Sequence, residues 1–541
     1  MSQLVLPGSH TRLTFPRLIA SSLFLAAFHC LGQSVPKLPP IKTAFIIIEE
    51  NHSWSDITPS AAPYIQTTLV PMGAHAEQYY NPPGNHPSEP NYVWLEAGSN
   101  LGINNDSDPN ANRQSTVDHL VHYLDKAGVS WKAYQEDIDG TSCPLVGVGS
   151  YAPKHDPFVF FDDVTGDNNF NSSYCISHIR PYSELANDLK NNTVAQYNFI
   201  TPNLCDDMHD CSITAGDTWL SSEVPKILSS QAYQDGGALF ITWDEASAGD
   251  GPIGMILLSP LAKTNYSNSI HYTHSSLLKT VEEIFQVTPL LRDAANASDL
   301  SDLFVGLPAI SAVVNAASFA PGFEAGSWLT IEGTNLSVNS RGWRSDEIVG
   351  GKLPTSLDGV SVTINGLPAF MSYISPTQLN AQAPSDSSII DGQSVPVTVN
   401  SPAGTVTTMA IARLIAPAIF LMDSQYVAAI NQDGSIVGPT GLFPGSHPTK
   451  PGDIVELYLT GLGPTAPPVL AGQLFPVPAL LINPTSLTVA GKPASVNFAG
   501  LVAPGLYQVN VVVPDVAAGD NQVTVQIGNV PSQNAGLLAV Q

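Results

Sequence analysis

The chain has 541 residues, which is too long for one hydrophobic core, because single cores stop growing at roughly 250 to 300 residues. Hydrophobic residues make up 43% of it and charged residues 12%, which excludes an intrinsically disordered chain; 42 Gly and 45 Pro indicate many turns and short strands. The formal net charge of −26 disfavours binding to nucleic acid or to an anionic membrane. We therefore expect about three domains, and any site for an anionic substrate needs a cation to offset this charge.

The first 32 residues have the features of a secretory signal peptide. Arg12 and Arg17 accompany an apolar run at 18–28, acidic residues are absent, and Gly32 supplies the small residue before a cleavage point. The apolar run is shorter than the roughly 20 residues that span a bilayer, and no later segment reads as transmembrane. We predict a protein that is secreted, periplasmic or attached to the cell surface after cleavage near residue 32.

Four cysteines remain once Cys30 leaves with the leader, namely Cys143, Cys175, Cys205 and Cys211. In an oxidising compartment they can form two disulfides, with three possible pairings. We favour Cys143 with Cys175 and Cys205 with Cys211, because the second pair closes a short loop beside a candidate site. A zinc site is the alternative, although paired CxxC spacing is absent.

Residues 40–305 alternate short apolar runs with helical periods, which is the pattern of an α/β domain. The runs that suit buried strands are 44–48, 131–134, 195–200, 238–242 and 253–258. Helices are predicted at 116–126, ending at Gly128, and at 274–285, each with one apolar face. The pattern predicts a sheet with helices packed on both faces.

Residues 308–541 are rich in Val, Thr, Ser, Gly and Pro and are predicted to be all-β. A repeat divides them, because Gly-Ser-Trp-Leu-Thr-Ile-Glu-Gly-Thr-Asn-Leu from Gly326 recurs as Gly-Asp-Ile-Val-Glu-Leu-Tyr-Leu-Thr-Gly-Leu from Gly452. We predict two β-sandwiches, at 308–415 and 416–541. They resemble the IPT/TIG-type immunoglobulin-like modules of secreted bacterial proteins, which implies a spacer or contact with a cell surface or carbohydrate.

Polar residues follow two of the predicted strands in the α/β domain. Glu50 and Asn51 come after the run at 44–48, and Asp244 and Glu245 come after the run at 238–242. Ligands of open α/β sheets bind beyond the carboxyl ends of the strands, where these side chains can converge. Hard oxygen ligands of this kind bind divalent metals. The alternative is solvated carboxylates or helix caps.

A serine held between two prolines lies in His-Pro-Ser-Glu-Pro-Asn-Tyr, which runs from His86 to Tyr92. Ser88 is predicted to open a helix after a tight loop. The free amides at a helix N-terminus point at an anion bound there. The joint occurrence of this motif and the strand-end carboxylates favours a site for phosphate chemistry.

Four segments occur in the order of a known family: Glu-Glu-Asn-His-Ser from Glu49, His-Pro-Ser-Glu-Pro-Asn-Tyr from His86, Thr-Pro-Asn-Leu-Cys-Asp-Asp-Met-His-Asp from Thr201, and Trp-Asp-Glu from Trp243. They resemble the secreted phosphoesterase family, which contains acid phosphatases and bacterial phospholipases C and belongs to the alkaline phosphatase superfamily. The resemblance covers 40–305. It implies an alkaline-phosphatase-like sheet between helices and a Ser or Thr nucleophile that also touches the metal.

Carried over by matching residues, the resemblance makes Ser88 the nucleophile. It implies a metal site built from Glu50, Asn51, Ser88, Asp244 and Glu245. These oxygen ligands suit one divalent cation, and the sequence does not distinguish Ca²⁺, Mg²⁺, Mn²⁺ and Zn²⁺.

Relatives with two metals bind the second cation through Asp and His residues. The candidates here are Asp207, His209 and His274. Without a second cation, the two histidines would bind the phosphate or protonate the leaving alcohol. Asn91 and Asn105 are further candidates for contacts with phosphate oxygens, as is His86, which otherwise supports the metal ligands.

The reaction that the resemblance implies is attack of Ser88 on phosphorus, a phosphoserine intermediate and its hydrolysis by water. We expect a phosphomonoester substrate. A phosphodiesterase or phospholipase C would use the same residues and differ in the pocket beside Ser88. A degenerate fold retained as a surface-binding module is the non-catalytic alternative.

Overall fold

Residues 38–541 are described by a computed structural model, and the predicted signal peptide and Cys30 lie outside the described residues. Among residues 38–541, no helix is both long and apolar enough to cross a bilayer. Both favoured disulfides are present, joining Cys143 to Cys175 and Cys205 to Cys211.

The α/β part of the chain, residues 38–305, contains strands and helices in alternation. Its strands are β1 (Thr43–Glu49), β2 (Ala74–Ala76), β3 (Tyr79–Tyr80), β4 (Trp131–Gln135), β5 (Ile179–Pro181), β6 (Tyr197–Thr201), β7 (Gly237–Trp243), β8 (Met255–Leu258), β9 (Tyr266–Asn268) and β10 (Tyr272–Thr273). Its α-helices are α1 (Val70–Met72), α2 (Ser88–Ala97), α3 (Pro109–Asn112), α4 (Leu120–Ala127), α5 (Asp162–Thr165), α6 (Ser173–His178), α7 (Leu185–Asn191), α8 (Ile213–Leu228), α9 (Gln231–Gln234) and α10 (His274–Ile284). A π-helical turn spans Ile65–Leu69, and 3-10 turns span Trp54–Asp56, Pro153–His155, Pro157–Phe160, Tyr182–Glu184, Arg292–Ala295 and Ser301–Leu303.

One mixed sheet runs through this part in the order β5-β4-β6-β1-β7-β8-β2-β9. Strand β1 is parallel to both β6 and β7, whereas β8 is antiparallel to β7. Every residue of β1 and of β7 is buried, although successive side chains point to opposite faces, so both faces of the sheet are covered. The predicted α/β fold class is therefore confirmed.

The predicted strands are all present, and the helix predicted at 116–126 needs a correction. It begins at Leu120, because His119 has an extended backbone and Val117 is exposed rather than part of an apolar face. Gly128 ends it in the left-handed conformation, as expected. The helix predicted at 274–285 ends one residue earlier, at Ile284.

Residues 309–540 form β-structure, with a single 3-10 turn at Ser345–Glu347 in this described stretch. The first β part contains β11 (Ala309–Asn315), β12 (Phe323–Glu324), β13 (Trp328–Thr334), β14 (Arg341–Gly342), β15 (Ser356–Leu357), β16 (Val360–Ile364), β17 (Leu367–Pro368), β18 (Phe370–Ile374), β19 (Gln378–Gln382), β20 (Ser394–Ser401) and β21 (Gly404–Arg413). The second β part contains β22 (Ala418–Ile419), β23 (Ala429–Asn431), β24 (Ile454–Thr460), β25 (Thr465–Ala466), β26 (Ala479–Leu481), β27 (Thr485–Val489), β28 (Lys492–Ala503), β29 (Leu506–Val512), β30 (Gly519–Ile527), β31 (Val530–Pro531) and β32 (Gly536–Val540).

Each β part encloses a hydrophobic cluster of its own. In the first, sheets β11-β13-β19-β18-β14 and β12-β21-β20-β16-β15 contribute side chains such as Leu329 and Val397 to one core. In the second, β28 pairs with both β27 and β29, and the strands surround Leu457 and Val525. The β-sandwich prediction is confirmed in this sense. The exact boundaries and the immunoglobulin-like resemblance stay predictions.

The sequence repeat corresponds to equivalent strands. Strand β13 pairs antiparallel with β19 in the first β part, and its counterpart β24 pairs antiparallel with β29 in the second. Gly326 and Gly452, which precede these strands, have φ angles of 90° and 91°. Both copies therefore use glycine at the same position, where a side chain would strain the backbone.

The two β parts meet through polar contacts, one buried and one partly buried. Glu324 in β12 accepts a hydrogen bond of 2.9 Å from the backbone amide of Gly463, and Trp328 Nε1 donates to the backbone oxygen of Pro504 at 2.8 Å. Glu324 is 7% exposed, and its burial raises the pKa of the carboxyl from 4.5 to about 8. The protonated form therefore fits this interface better than the charged form.

This burial predicts a pH-dependent stability. A folded-state pKa above the unfolded value means that the folded protein binds more protons, so stability is full below pH 4.5 and is lost as pH rises toward about 8. The Glu324→Gln variant should remove a slope of up to about 1.4 kcal/mol per pH unit from urea unfolding curves of the β parts. Glu332→Gln, at an exposed position of β13, is the matched control. An unchanged slope in Glu324→Gln would contradict the assignment.

Candidate functional site

Strands β1 and β7 lie side by side, and both end at the same edge of the sheet. Glu50 and Asn51 follow β1, and Asp244 and Glu245 follow β7. The backbone amide of Asn51 donates to Asp244 Oδ1 at 2.9 Å, which ties the two strand ends together. Asn51 has a φ of 50°, a left-handed conformation that asparagine tolerates better than most residues. The structure thus brings all four predicted residues to one place.

Ser88 is the first residue of α2 and faces this cluster. Pro87 precedes it with an extended backbone, so the helix begins at the serine. The Ser88 hydroxyl donates to Glu50 Oε2 at 3.1 Å, and the Tyr92 hydroxyl, one turn later, donates to Glu50 Oε1 at 2.6 Å. The N-terminal amides of α2 also place a partial positive charge beside the hydroxyl. The nucleophile predicted from sequence therefore touches a predicted metal ligand.

Burial sets the electrostatics of the strand ends. Burial and then the charge of Glu245 raise the pKa of Asp244 to about 8. Burial, followed by the charges of Asp244 and Asp207, raises the pKa of Glu50 well above its ordinary value. Asp244 Oδ2 is buried and has no hydrogen-bond partner among the described residues. This oxygen is therefore free to bind a positively charged group.

This donor set fits a divalent cation. It offers carboxylates from Glu50, Asp244 and Glu245, an amide from Asn51 and the hydroxyl of Ser88. Calcium, magnesium and manganese prefer oxygen ligands of this type. The residues that the sequence predicts as ligands are thus the ones that could hold the cation.

Glu245 lies between a histidine and an amide. Its Oε2 is hydrogen-bonded to His86 Nδ1 and lies 3.3 Å from Asn91 Nδ2. Burial lowers the pKa of His86, but contacts with Glu245 and Asp250 outweigh this and raise it overall. Asn91 is buried and donates to the backbone oxygen of Asn85 at 2.9 Å. His86 and Asn91 therefore support Glu245, and their contact with substrate stays a prediction.

The disulfide between Cys205 and Cys211 closes a loop that enters the site. Asp207 in this loop is buried, and its Oδ1 accepts a hydrogen bond from the backbone amide of His209 at 2.8 Å. Burial raises the pKa of Asp207 to about 7. The loop thus presents a further carboxylate, from Asp207, and the partly exposed imidazole of His209 beside the strand ends.

His155 connects this loop to the strand-end cluster. Its Nε2 lies 3.3 Å from Glu50 Oε1, and its Nδ1 lies 3.2 Å from Asp207 Oδ2. Burial lowers the pKa of His155 well below its ordinary value. Glu50, His155 and His209 offer ligand atoms within 4.8 Å of one another. These three residues could therefore hold a second cation.

Comparison with known sequences gives a family match for the α/β part. Residues 49–288 match the profile described as the Phosphoesterase family. These residues therefore resemble the members of that family. The matched segment contains the strand-end cluster, Ser88, His155 and the Cys205–Cys211 loop, so the whole site lies within the family region.

Several curated relatives carry phosphatase names. The chain is 28% identical over 239 residues to a phosphate-repressible acid phosphatase of Penicillium chrysogenum, which covers 42% of this chain and 55% of that protein. It is 28% identical over 292 residues to a phosphatidylinositol-3-phosphatase of Mycobacterium tuberculosis, covering 53% of this chain and 91% of that protein. The chain thus spans little more than half of the Penicillium relative. A solved structure from Vibrio parahaemolyticus, titled as an alkaline phosphatase superfamily protein, aligns with a TM-score of 0.33 at 10% identity, over 55% of this chain and 77% of that chain.

Two residues of the site were not predicted from the sequence. His155 and Lys154 lie in the 3-10 turn Pro153–His155, which has neither strand nor helix periodicity. Lys154 Nζ lies 3.1 Å from His209 Nε2 and 3.2 Å from Asp106 Oδ2, and it brings a positive charge to the site. The sequence Lys-His-Asp-Pro before a run of aromatic residues is the one signal that could have drawn attention to this turn.

The predicted role of His274 needs a correction. It is fully buried, its Nε2 donates to the backbone oxygen of Asp244 at 2.6 Å, and its Nδ1 lies 3.3 Å from the Tyr79 hydroxyl. Burial lowers its pKa to about 4, so the ring is neutral. It therefore positions the end of β7 and does not face the carboxylates as a ligand or acid.

Asn105 is also placed away from the predicted contact. It is exposed, and its Oδ1 accepts hydrogen bonds from Ser107 and Asn112 at 3.0 Å. Its neighbour Asp106 reaches the site instead, accepting from the backbone amide of Glu89 at 3.0 Å. Asn105 therefore shapes the turn, as turn-forming asparagines commonly do.

The buried carboxylates predict stabilisation by a divalent cation. Protein stripped with a chelator should gain thermal stability when Mn²⁺, Mg²⁺ or Ca²⁺ is added, by about 2.7 kcal/mol at a hundredfold excess over the Kd. The Asp244→Asn variant should lose most of this gain, as read from melting curves.

Glu282→Gln is the matched control. Glu282 is also fully buried with one unpartnered oxygen, but it lies in α10 and is bonded to the Leu291 amide. It should respond to the cation as the wild type does. Equal gains in Asp244→Asn and the wild type would contradict a metal site at the strand ends.

Proposed function

We propose that the protein is an exported phosphoester hydrolase that acts on phosphomonoesters through a phosphoserine at Ser88. The observation that carries this proposal is the position of Ser88. It is the first residue of α2, and its hydroxyl donates a hydrogen bond to the buried carboxylate of Glu50. A family match over 49–288 and relatives named as phosphatases support it. The two disulfides and the predicted leader support export.

The first step forms a bond between Ser88 Oγ and phosphorus and breaks the bond from phosphorus to the alcohol oxygen. The hydroxyl proton passes to Glu50, which already accepts it in a hydrogen bond. The alcohol oxygen takes a proton from His209, which acts as the general acid on the partly exposed side of the site. The products are a phosphoserine and the free alcohol.

The second step returns the enzyme to its starting state. A water molecule attacks phosphorus from the opposite side and gives its proton to His209, while Ser88 Oγ leaves with the proton held by Glu50. Inorganic phosphate is released. A divalent cation held by Glu50, Asn51, Asp244 and Glu245 would lower the pKa of the serine hydroxyl and offset the charge of the phosphate.

The charges around Ser88 favour a dianionic substrate. Lys154 Nζ and the Glu89 amide at the N-terminus of α2 lie close together, because both contact Asp106, at 3.2 Å and 3.0 Å. They supply local positive charge, although the protein as a whole carries a charge of −26. A phosphomonoester carries more negative charge than a diester, so it gains more from both groups. This supports a monoesterase over a phosphodiesterase or phospholipase C.

The β parts contribute no residue to this chemistry in the proposal. We propose that they space the α/β part from a cell surface or contact carbohydrate there. Removing 308–541 separates the two functional classes, since an enzyme keeps turnover and a surface-binding module loses its principal activity.

Replacement of Ser88 tests the nucleophile. Ser88→Ala should lower kcat for nitrophenyl phosphate by about 10³-fold or more, because the covalent route is lost. Release of nitrophenol from mono- and bis-nitrophenyl phosphate, with and without chelator, measures this and identifies the preferred ester. Ser247→Ala, at an exposed hydroxyl, is the control. Undiminished turnover in Ser88→Ala would refute the assignment.

Replacement of Lys154 tests the charge argument. Lys154→Met should lower kcat/KM for the monoester about 10- to 100-fold and that for the diester less, because the diester carries less charge. Lys132→Met is a matched control, since Lys132 is similarly part-buried and paired with Asp188 at 2.7 Å outside the site. Equal losses on both esters would contradict a role for Lys154 in selecting monoesters.

A further inference from the structure

A second cluster of metal-ligating side chains lies near the C-terminal end of α2. It consists of His119 just before α4, His122 in the first turn of α4, and Asp163 in α5. His119 Nε2 lies 3.0 Å and 3.2 Å from the two carboxylate oxygens of Asp163, and His122 Nδ1 lies 2.9 Å from Oδ2. All three ligand atoms lie within 4.8 Å of one another.

These spacings suit a tetrahedral metal. Ligands bound to Zn²⁺ at about 2.0–2.2 Å lie roughly 3.3–3.6 Å apart in a tetrahedron, so the nitrogen and oxygen atoms here, at 2.9–3.2 Å, need to separate by only a few tenths of an ångström. Two imidazoles and one carboxylate form a donor set that prefers zinc and similar transition metals to calcium or magnesium. The cluster therefore differs in chemistry from the oxygen-rich site at Ser88.

Glu96 orients the buried imidazole of this cluster. His119 Nδ1 lies 3.1 Å from Glu96 Oε1, which also accepts the backbone amide of Val121 at 2.7 Å. Both His119 and Glu96 are buried, and the imidazole stacks on Phe161 with ring centres 4.0 Å apart. A proton on Nδ1 leaves the lone pair of Nε2 directed at Asp163, as a carboxylate behind a ligating histidine does in metal sites.

Charge balance also favours a cation here. Two carboxylates, Glu96 and Asp163, face His119, while the nearby Arg113 pairs with Asp162 and Asp167 instead. One proton on His119 would offset one of the two negative charges, whereas a divalent cation offsets both. A cation is therefore a better match to the cluster than a proton.

We propose that His119 Nε2, His122 Nδ1 and Asp163 bind a divalent transition metal, with Zn²⁺ as the representative ion. The site joins α4 and α5, and through Glu96 it reaches the helix that begins at Ser88. Glu96 lies eight residues after Ser88, about 12 Å along α2, so this metal does not meet the phosphate. Its role is to hold the C-terminal end of α2 in place, through the contact between His119 and Glu96.

Zinc titration of the full mature protein tests this proposal. Metal-stripped wild type and His122→Asn are titrated with Zn²⁺ by calorimetry near neutral pH. The wild type should bind one more Zn²⁺ per chain than His122→Asn, because cations bound near Ser88 count equally in both proteins. His447→Asn is the matched control, since His447 faces one carboxylate, Asp433, at 3.0 Å without a second imidazole in the cluster.

The second variant is Glu96→Gln, which keeps the shape of the side chain. It should weaken the additional zinc site about 10- to 100-fold, because the support of His119 is lost. Far-ultraviolet circular dichroism confirms that each variant is folded. Equal zinc stoichiometry and affinity in the wild type and His122→Asn would overturn the proposal and leave an imidazolium between two carboxylates. The readout is binding, so it stands apart from the proposed hydrolysis.

Discussion

Carboxylates buried together at one edge of the sheet are the constraint on which the rest of the site depends. Glu50 and Asp244 are fully buried at the ends of β1 and β7, and Asp207 is buried beside them. Unpaired buried charge is costly, so these groups require protons or a cation. The cluster is held in place by backbone contacts of the two strands, by His155 and by the disulfide-closed loop. The fold thus contains a preformed cluster of carboxylates that can bind a cation.

The proposed reactivity of Ser88 depends on this carboxylate cluster. Its hydroxyl is held by Glu50 at the N-terminus of α2, and the opposite end of the same helix is tied to His119 through Glu96. A helix fixed at both ends holds a nucleophile within the narrow geometry that in-line attack requires. The two β parts have hydrophobic cores of their own, and the residues of the proposed site all come from the α/β part.

The sequence predicted the positions that follow from strand pattern. Runs of buried residues located β1 and β7, and parallel pairing brought Glu50 and Asp244 together, because neighbouring parallel strands end at one edge. The two copies of the repeat also predicted equivalent strand pairs. His155 and Lys154 escaped prediction because their turn has no periodicity. His274 was assigned to the wrong side, because a pattern does not show which way a side chain at a helix start points.

The central claim is a covalent phosphoserine at Ser88, and trapping it is the most direct test. Protein turning over nitrophenyl phosphate would be quenched in acid within milliseconds, digested and examined by peptide mass spectrometry. The account predicts a phosphoryl group on the peptide that contains Ser88, and none in Ser88→Ala. Rapid turnover with no phosphorylated Ser88 peptide at any quench time, or with phosphate on another residue, would contradict it.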